Sequence, residues 1–278
     1  MRKKIIVLCW FCFTLLCVVC AIGVYSIKRG WIGYMPPIAE LQSPISKYAS
    51  QVISVDGRLM GTWSRNENRV FVGYDSISSH MFDALVATED VRFYDHSGID
   101  SRALGRAIIK RGLLGHKEAG GGSTITQQLA KQLYSVTAST TLQRLMQKPI
   151  EWVIAVELER HYTKEEILTL YLNYFDFLHN AVGIKTAANV YFGKSPKNLS
   201  LTECATLVGM CKNPSYFNPV REPERCRQRR NVVLQQMVKA GSLSESEYAT
   251  LSEEPLKLNF HRIDHKEEII EYERIKNV

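Results

Sequence analysis

Residues Ile5 to Ile27 run for 23 positions without a formal charge, long enough to cross the hydrocarbon core of a bilayer as a helix. A cleaved signal peptide would carry a shorter apolar region closed by a small-x-small site, whereas Ala21-Ile22-Gly23-Val24-Tyr25 continues bulky. Arg2, Lys3, Lys4 and the amino terminus precede the run, and only Lys28 and Arg29 come closely after it. That bias predicts a single-pass anchor with the N-terminus in the cytoplasm and the rest of the chain outside. The run also holds Cys9, Cys12, Cys17 and Cys20 as two Cys-x-x-Cys pairs. Zinc ribbons separate such pairs by a longer loop, and lipid is a poor place to desolvate thiolates. Only Cys204, Cys211 and Cys226 lie elsewhere, so no disulfide framework is evident.

The chain beyond the anchor is long enough for one large or two small domains. With 45% apolar and 23% charged residues, the 278-residue chain excludes wholesale disorder, collagen-like repetition and a polytopic membrane protein. A formal charge of +7 favours an anionic partner: phosphate, pyrophosphate, nucleic acid or an acidic lipid surface. Pro36-Pro37 and Ser43-Pro44 mark a linker. Val52 to Val55, the turn pair Asp56-Gly57, and Arg58 to Met60 predict a β-hairpin, and Arg69 to Val72 a third strand.

After about Ser76 the pattern turns helical. A helix beginning near Ser78 or Ser79 should end at Glu89. Asp100 can cap another that runs through Ile108 and stops at Gly112. Four capping boxes come next: Thr124 with Gln127, Thr163 with Glu166, Ser200 with Glu203, and Ser244 with Glu247. Gly241 should terminate the helix that contains Val233 and Met237.

Two stretches carry chemistry. Glu89-Asp90-Val91-Arg92-Phe93-Tyr94-Asp95-His96-Ser97-Gly98 places carboxylates at the edge of a packed helix, where one of them could serve as a general base. Taken alone it is an ordinary charged helix end. Gly120-Gly121-Gly122-Ser123-Thr124-Ile125-Thr126-Gln127-Gln128-Leu129-Ala130-Lys131 is less ordinary. Its glycines let the backbone approach a ligand, and the next helix presents free N–H groups to an anion. Gln128 and Lys131 lie three apart, offering an amide and a cation together. The Gly-Lys-Ser/Thr ending of a nucleotide P-loop is absent.

These stretches resemble the first two motifs of the peptidoglycan glycosyltransferases (glycosyltransferase family 51). Those are lysozyme-like, membrane-anchored enzymes that polymerise lipid II, alone or as the N-terminal half of class A penicillin-binding proteins. Glu89, Asp90, Phe93, His96 and Gly98 match the first motif, and Gly121 to Gln128 the second. Lys164, Ile167, Leu168, Tyr171, Leu172 and Asn173 match a fourth. Similarity extends over Gly183 to Lys194 and from Asn213 to Leu234. The third motif, commonly Arg-Lys-x-x-Glu, reads Gln147-Lys148-Pro149-Ile150-Glu151, with Arg144 one turn before Lys148. If Pro149 starts a new helix, Glu151 sits in its positively polarised first turn.

The resemblance implies a mainly α, lysozyme-like glycosyltransferase domain with a small β-hairpin leading in and an N-terminal transmembrane helix. The expected divisions are 1–29 (cytoplasmic stub and anchor), 30–74 (linker and hairpin), 75–254 (glycosyltransferase domain) and 255–278 (tail). It implies Glu89 and Glu151 as catalytic residues. Asp90, Phe93, His96, Ser123, Thr124, Gln127, Gln128, Lys131 and Lys148 are implied as substrate-binding. A divalent cation (Mg or Mn) is expected, and no organic cofactor. Expected partners are lipid II as donor and acceptor, the growing glycan strand, the membrane and the cell wall synthesis machinery, without nucleic acid. The implied location is the cell inner membrane, with the catalytic domain periplasmic.

Other features weigh less. Arg221, Arg225, Arg227, Arg229 and Arg230 read as a solvated or structural face, and His261 with His265 lacks a third metal ligand. Tyr171, Tyr174, Phe175, Phe177, Tyr191 and Phe192 read mostly as core packing. A peptidoglycan-cleaving muramidase or lytic transglycosylase, and a catalytically silent membrane scaffold, are the rival readings. No Ser-x-x-Lys occurs in the chain, so penicillin should not label it.

Overall fold

α1 (Arg2–Lys28) leaves its side chains from Lys3 to Ile22 exposed, as a lipid-facing helix must, and is long and apolar enough to cross a membrane. The computed structural model describes residues 2–37, 40–41, 50–53, 55, 59–63, 70–107, 122–135 and 140–262. β1 (Ser50–Ile53) pairs antiparallel with β2 (Leu59–Trp63) in the register Gln51 to Thr62 and Ile53 to Leu59. The turn pair Asp56-Gly57 lies outside the described residues. The expected third strand does not form at Val70 to Val72, and Arg69 lies outside the description. Instead, the Val72 N–H donates to Asn173 Oδ1 and its carbonyl accepts from Asn173 Nδ2, both at 2.9 Å. A buried side-chain amide thus satisfies the backbone groups that a sheet ladder would have used.

Helices supply the rest. α2 (Ser79–Glu89), α3 (Ser101–Ala107), α4 (Ile125–Tyr134) and α5 (Thr141–His161) come first. After them come α6 (Lys164–Tyr174), α7 (Ile184–Phe192), α8 (Leu201–Cys211), α9 (Pro223–Ala240) and α10 (Glu245–Glu253). α2 packs on α8 and α9, while α4 packs on α5 and α6. Met81, Leu85, Leu129, Ile154, Leu168, Leu207 and Leu234 are buried in the one core that joins these two groups. The site lies where the groups meet.

Capping largely obeys the sequence signals. Thr163, Ser200 and Ser244 form complete capping boxes, Asp100 caps α3 through the Ala103 N–H, and Gly241 ends α9 at φ +79°. The expected continuation of α3 beyond Ala107 lies outside the described residues. Two expectations fail. Thr124 caps α4 by accepting from the Gln127 N–H, but the Gln127 side chain does not close the box. It donates to the Gly98 carbonyl at 3.1 Å. Pro149 does not begin a helix; it lies inside α5, which runs unbroken across it. Proline removes one backbone hydrogen bond there. Glu151 is consequently mid-helix and takes its compensation from a side chain rather than from a helix terminus. α5 also seats the anchor, since Lys28 Nζ lies 2.6 Å from Glu157.

Candidate active site

The first motif works mainly as a clamp. Asp90, buried just past the end of α2, accepts the Ile125 N–H at 3.1 Å and pairs with His96 Nε2 at 3.1 Å. It therefore stabilises the first turn of α4 with a negative charge. Phe93 is fully buried beneath the Lys164 ammonium, 4.2 Å from the ring centre, and Lys164 Nζ also donates to the His96 carbonyl at 2.7 Å. Gly98, at φ +89°, lies so close to α5 that a Cβ would sit 2.9 Å from the Ala155 carbonyl. Its own carbonyl accepts from the Thr124 hydroxyl at 2.7 Å and from Gln127 Nε2. Asp90, Phe93, His96, Thr124 and Gln127 thus direct their side-chain contacts within the fold, holding the second motif against the first, and Asp90 and Thr124 also line the cavity beside Glu89.

What this frame leaves open is Glu89. The last residue of α2 accepts from Gln128 Nε2 at 2.9 Å, and its other oxygen lies 3.7 Å from Arg229 Nη2. These three residues line a cavity of about 680 Å³ together with Gly122, Ser123, Arg92, Arg106, Lys212 and Lys239. The charged lining is five cations (Arg92, Arg106, Lys212, Arg229, Lys239) against three carboxylates (Glu89, Asp90, Asp100). Asp90 already faces His96, and Asp100 is paired with Arg92. Burial alone would raise the Asp100 pKa, but the Arg92 guanidinium and the Ala103 N–H hold it below the usual carboxylate range. The cavity is therefore electropositive around one ionisable glutamate.

Arg229 is the residue that the sequence reading missed. It belongs to the arginine cluster taken as a solvated or structural face, and the structure divides that cluster. Arg230 is fully buried, donating to Asn231 Oδ1 and the Ser252 carbonyl. Arg229, one residue earlier on α9, turns into the cavity. Burial pulls its pKa below the usual arginine range, and Glu89 opposes the shift. Its place in the Asn213 to Leu234 stretch of family similarity was the one signal that could have found it.

The second carboxylate, Glu151, is 2% exposed. It accepts from Lys148 Nζ at 2.6 Å, and Lys148 reaches Ser123 Oγ at 3.4 Å, at the wall of the cavity. Gln128 and Lys131 separate: Gln128 turns toward Glu89, while Lys131 is exposed and is not part of the cavity lining. Arg144 is likewise exposed and outside the lining.

No three His, Cys, Asp or Glu side chains among the described residues converge as metal ligands. Each carboxylate of the site already has a donor: Gln128 for Glu89, His96 for Asp90, Arg92 for Asp100 and Lys148 for Glu151. Among the described residues, no ready-made set of three such ligands stands open for the divalent cation that the resemblance implies.

A single open glutamate in a cation-lined cavity, on a helical domain with an apolar N-terminal helix, suits acid–base chemistry on an anionic substrate. The chain belongs to the transglycosylase family, whose model, described as Transglycosylase, matches residues 56–238. It is 41% identical over 222 residues to penicillin-binding protein 1A of Aquifex aeolicus, covering 80% of this chain and 30% of that protein. Penicillin-binding protein 1A of Escherichia coli K12 is 36% identical over 253 residues, covering 90% of this chain and 29% of the relative. Penicillin-binding protein 1F of Bacillus subtilis is 40% identical over 184 residues, covering 66% and 25%. The chain thus spans less than a third of the length of these relatives.

Proposed function

We propose that the chain is a lysozyme-like peptidoglycan glycosyltransferase that joins lipid II units into β-1,4-linked glycan and releases undecaprenyl pyrophosphate during bacterial cell wall synthesis. The observation that carries this reading is Glu89, open at the edge of a cavity with an excess of cations. Glu89 takes the proton from the 4-hydroxyl of the acceptor as that oxygen bonds to the donor's anomeric carbon. The bond from that carbon to the pyrophosphate breaks on the opposite face, inverting the centre, and its electron pair leaves with the phosphate. Arg229, Lys212 and Arg106 meet that charge in the cavity. Lys148 adds a cation beside Ser123, and Glu151 orients Lys148. Lys131 would contribute from outside the cavity lining. α1 would hold the domain at the periplasmic face of the inner membrane, where both lipid substrates, the growing strand and the cell wall machinery are found.

Purified protein in detergent should convert lipid II into glycan that runs as a ladder of long products on a gel. Glu89→Gln should cut formation of the ladder by roughly 10²-fold while leaving the protein folded. Shortening of preformed glycan without polymerisation would favour a muramidase instead, and absence of both activities would favour a membrane scaffold.

A further inference from the structure

The aromatic residues from Tyr171 to Phe192 read mostly as core, and by burial Tyr171, on α6, belongs there, being fully buried. Its hydroxyl, however, is directed at the active site. Tyr171 donates to Gln128 Oε1 at 3.1 Å, and Gln128 Nε2 donates to Glu89 Oε2 at 2.9 Å. The chain of hydrogen bonds runs from α6 through α4 to the end of α2. On the strength of the glycosyltransferase reading, we infer that Tyr171 is a positioning residue for the Glu89 base, acting through the amide of Gln128.

The two ends of that amide are chemically different. A primary amide offers an acceptor at one end and donors at the other, and rotating it by half a turn exchanges them. An ionised Glu89 can only accept, so it needs the Nε2 end. With the amide reversed, Oε1 would face a carboxylate oxygen with no proton between them. Glu89 therefore sets which end faces it, and the Tyr171 O–H holds the opposite end by donating to Oε1. Burial pushes the phenol pKa far above its usual value, so it stays a donor at every pH where the enzyme could work. The Gln132 amide and the Cys211 thiol complete the surroundings of the phenol oxygen.

The consequence is asymmetric. Glu89 Oε2 is tied to Gln128, while Oε1 is the oxygen on the Arg229 side, 3.7 Å from that guanidinium. Oε1 is therefore the atom left to receive the acceptor proton. Without the phenol O–H, the Oε1 end of the amide loses its donor, the Gln128 side chain is no longer held at both ends, and the carboxylate loses its fixed aim. Substrate binding, which does not involve Tyr171, should not change.

Tyr171→Phe keeps the ring and removes the hydroxyl, and its thermal melt can be compared directly with the parent chain. In a lipid II polymerisation assay, kcat should fall roughly 10-fold with KM within about twofold, as expected for a misaimed base. Gln128→Met should cost at least as much, and Tyr171→Phe should add nothing further on top of it, because the two act as one unit. The amide can also be observed without turnover. In 15N-glutamine-labelled protein, the side-chain NH2 pair that disappears in Gln128→Met should move toward the position of a free amide in Tyr171→Phe. A wild-type kcat in a folded Tyr171→Phe protein, additive effects with Gln128→Met, or an unmoved amide pair would each overturn the inference. An inactive parent enzyme on lipid II would instead strike the substrate reading, and the amide signal would still decide the role of Tyr171.

Discussion

The two carboxylates that the family pattern pairs stand in opposite surroundings. Glu89 keeps 16% side-chain exposure, and its partners come from other helices: Gln128 on α4 and Arg229 on α9. Glu151 keeps 3%, and its partner Lys148 lies one turn earlier on the same helix. A carboxylate held by groups from distant helices can be aimed at a cavity while an oxygen stays available. One neutralised by its own helix gives up its charge locally and fixes the position of a lysine. In the proposed function, the first arrangement suits a base and the second suits a residue that aligns its lysine.

The largest effect should come from Glu89→Gln, which keeps the amide contact geometry but removes the base. Polymerisation should drop by roughly 10²-fold at an unchanged melting temperature. A loss of that size in Glu151→Gln at parental stability would break the comparison, because it would give the buried carboxylate a direct chemical role. Next comes Arg229→Gln, which removes a charge facing Glu89 and, in the proposed reaction, the leaving group. Its rate should fall on the order of 10-fold, read from initial rates at saturating donor. Lys148→Met leaves Glu151 buried without its cation, so this variant should show itself first in stability. A loss of about 1–2 kcal/mol in chemical denaturation is expected, limited because Lys148 is itself partly open to water. Smallest of all should be Lys131→Ala, within about twofold in rate, since an exposed charge is largely screened. A severe Lys131→Ala defect would move the pyrophosphate away from the Arg229 side of the cavity.

Much of the frame was legible in the sequence because its signals are local. The end of α2 at Glu89, the Asp100 cap, the Gly241 stop and three capping boxes each need only a few neighbouring residues. What escaped depends on partners far along the chain. Gln127 abandons its own box because the Gly98 carbonyl is within reach, and Asn173 takes over the backbone of Val72. Arg229 and Arg230 are adjacent and chemically identical, yet only the fold sends one to the cavity and the other to Ser252. Pro149 misled for the opposite reason. Its local preference is for a helix start, and the packing of α5 against α4 and the anchor overrides it.

The carbonyl of Gly98 carries a last consequence, for anyone who would transplant or redesign this site. One oxygen has two lone pairs, and Thr124 and Gln127 occupy both. On the other side of the same residue, the Ala155 backbone excludes any side chain. The position has no spare valence and no spare volume. The Glu-Asp and Thr-Gln-Gln segments are therefore a single component in two pieces of sequence. A graft that carried the glutamine loop into another scaffold without this glycine and its supporting helix would arrive without a seat.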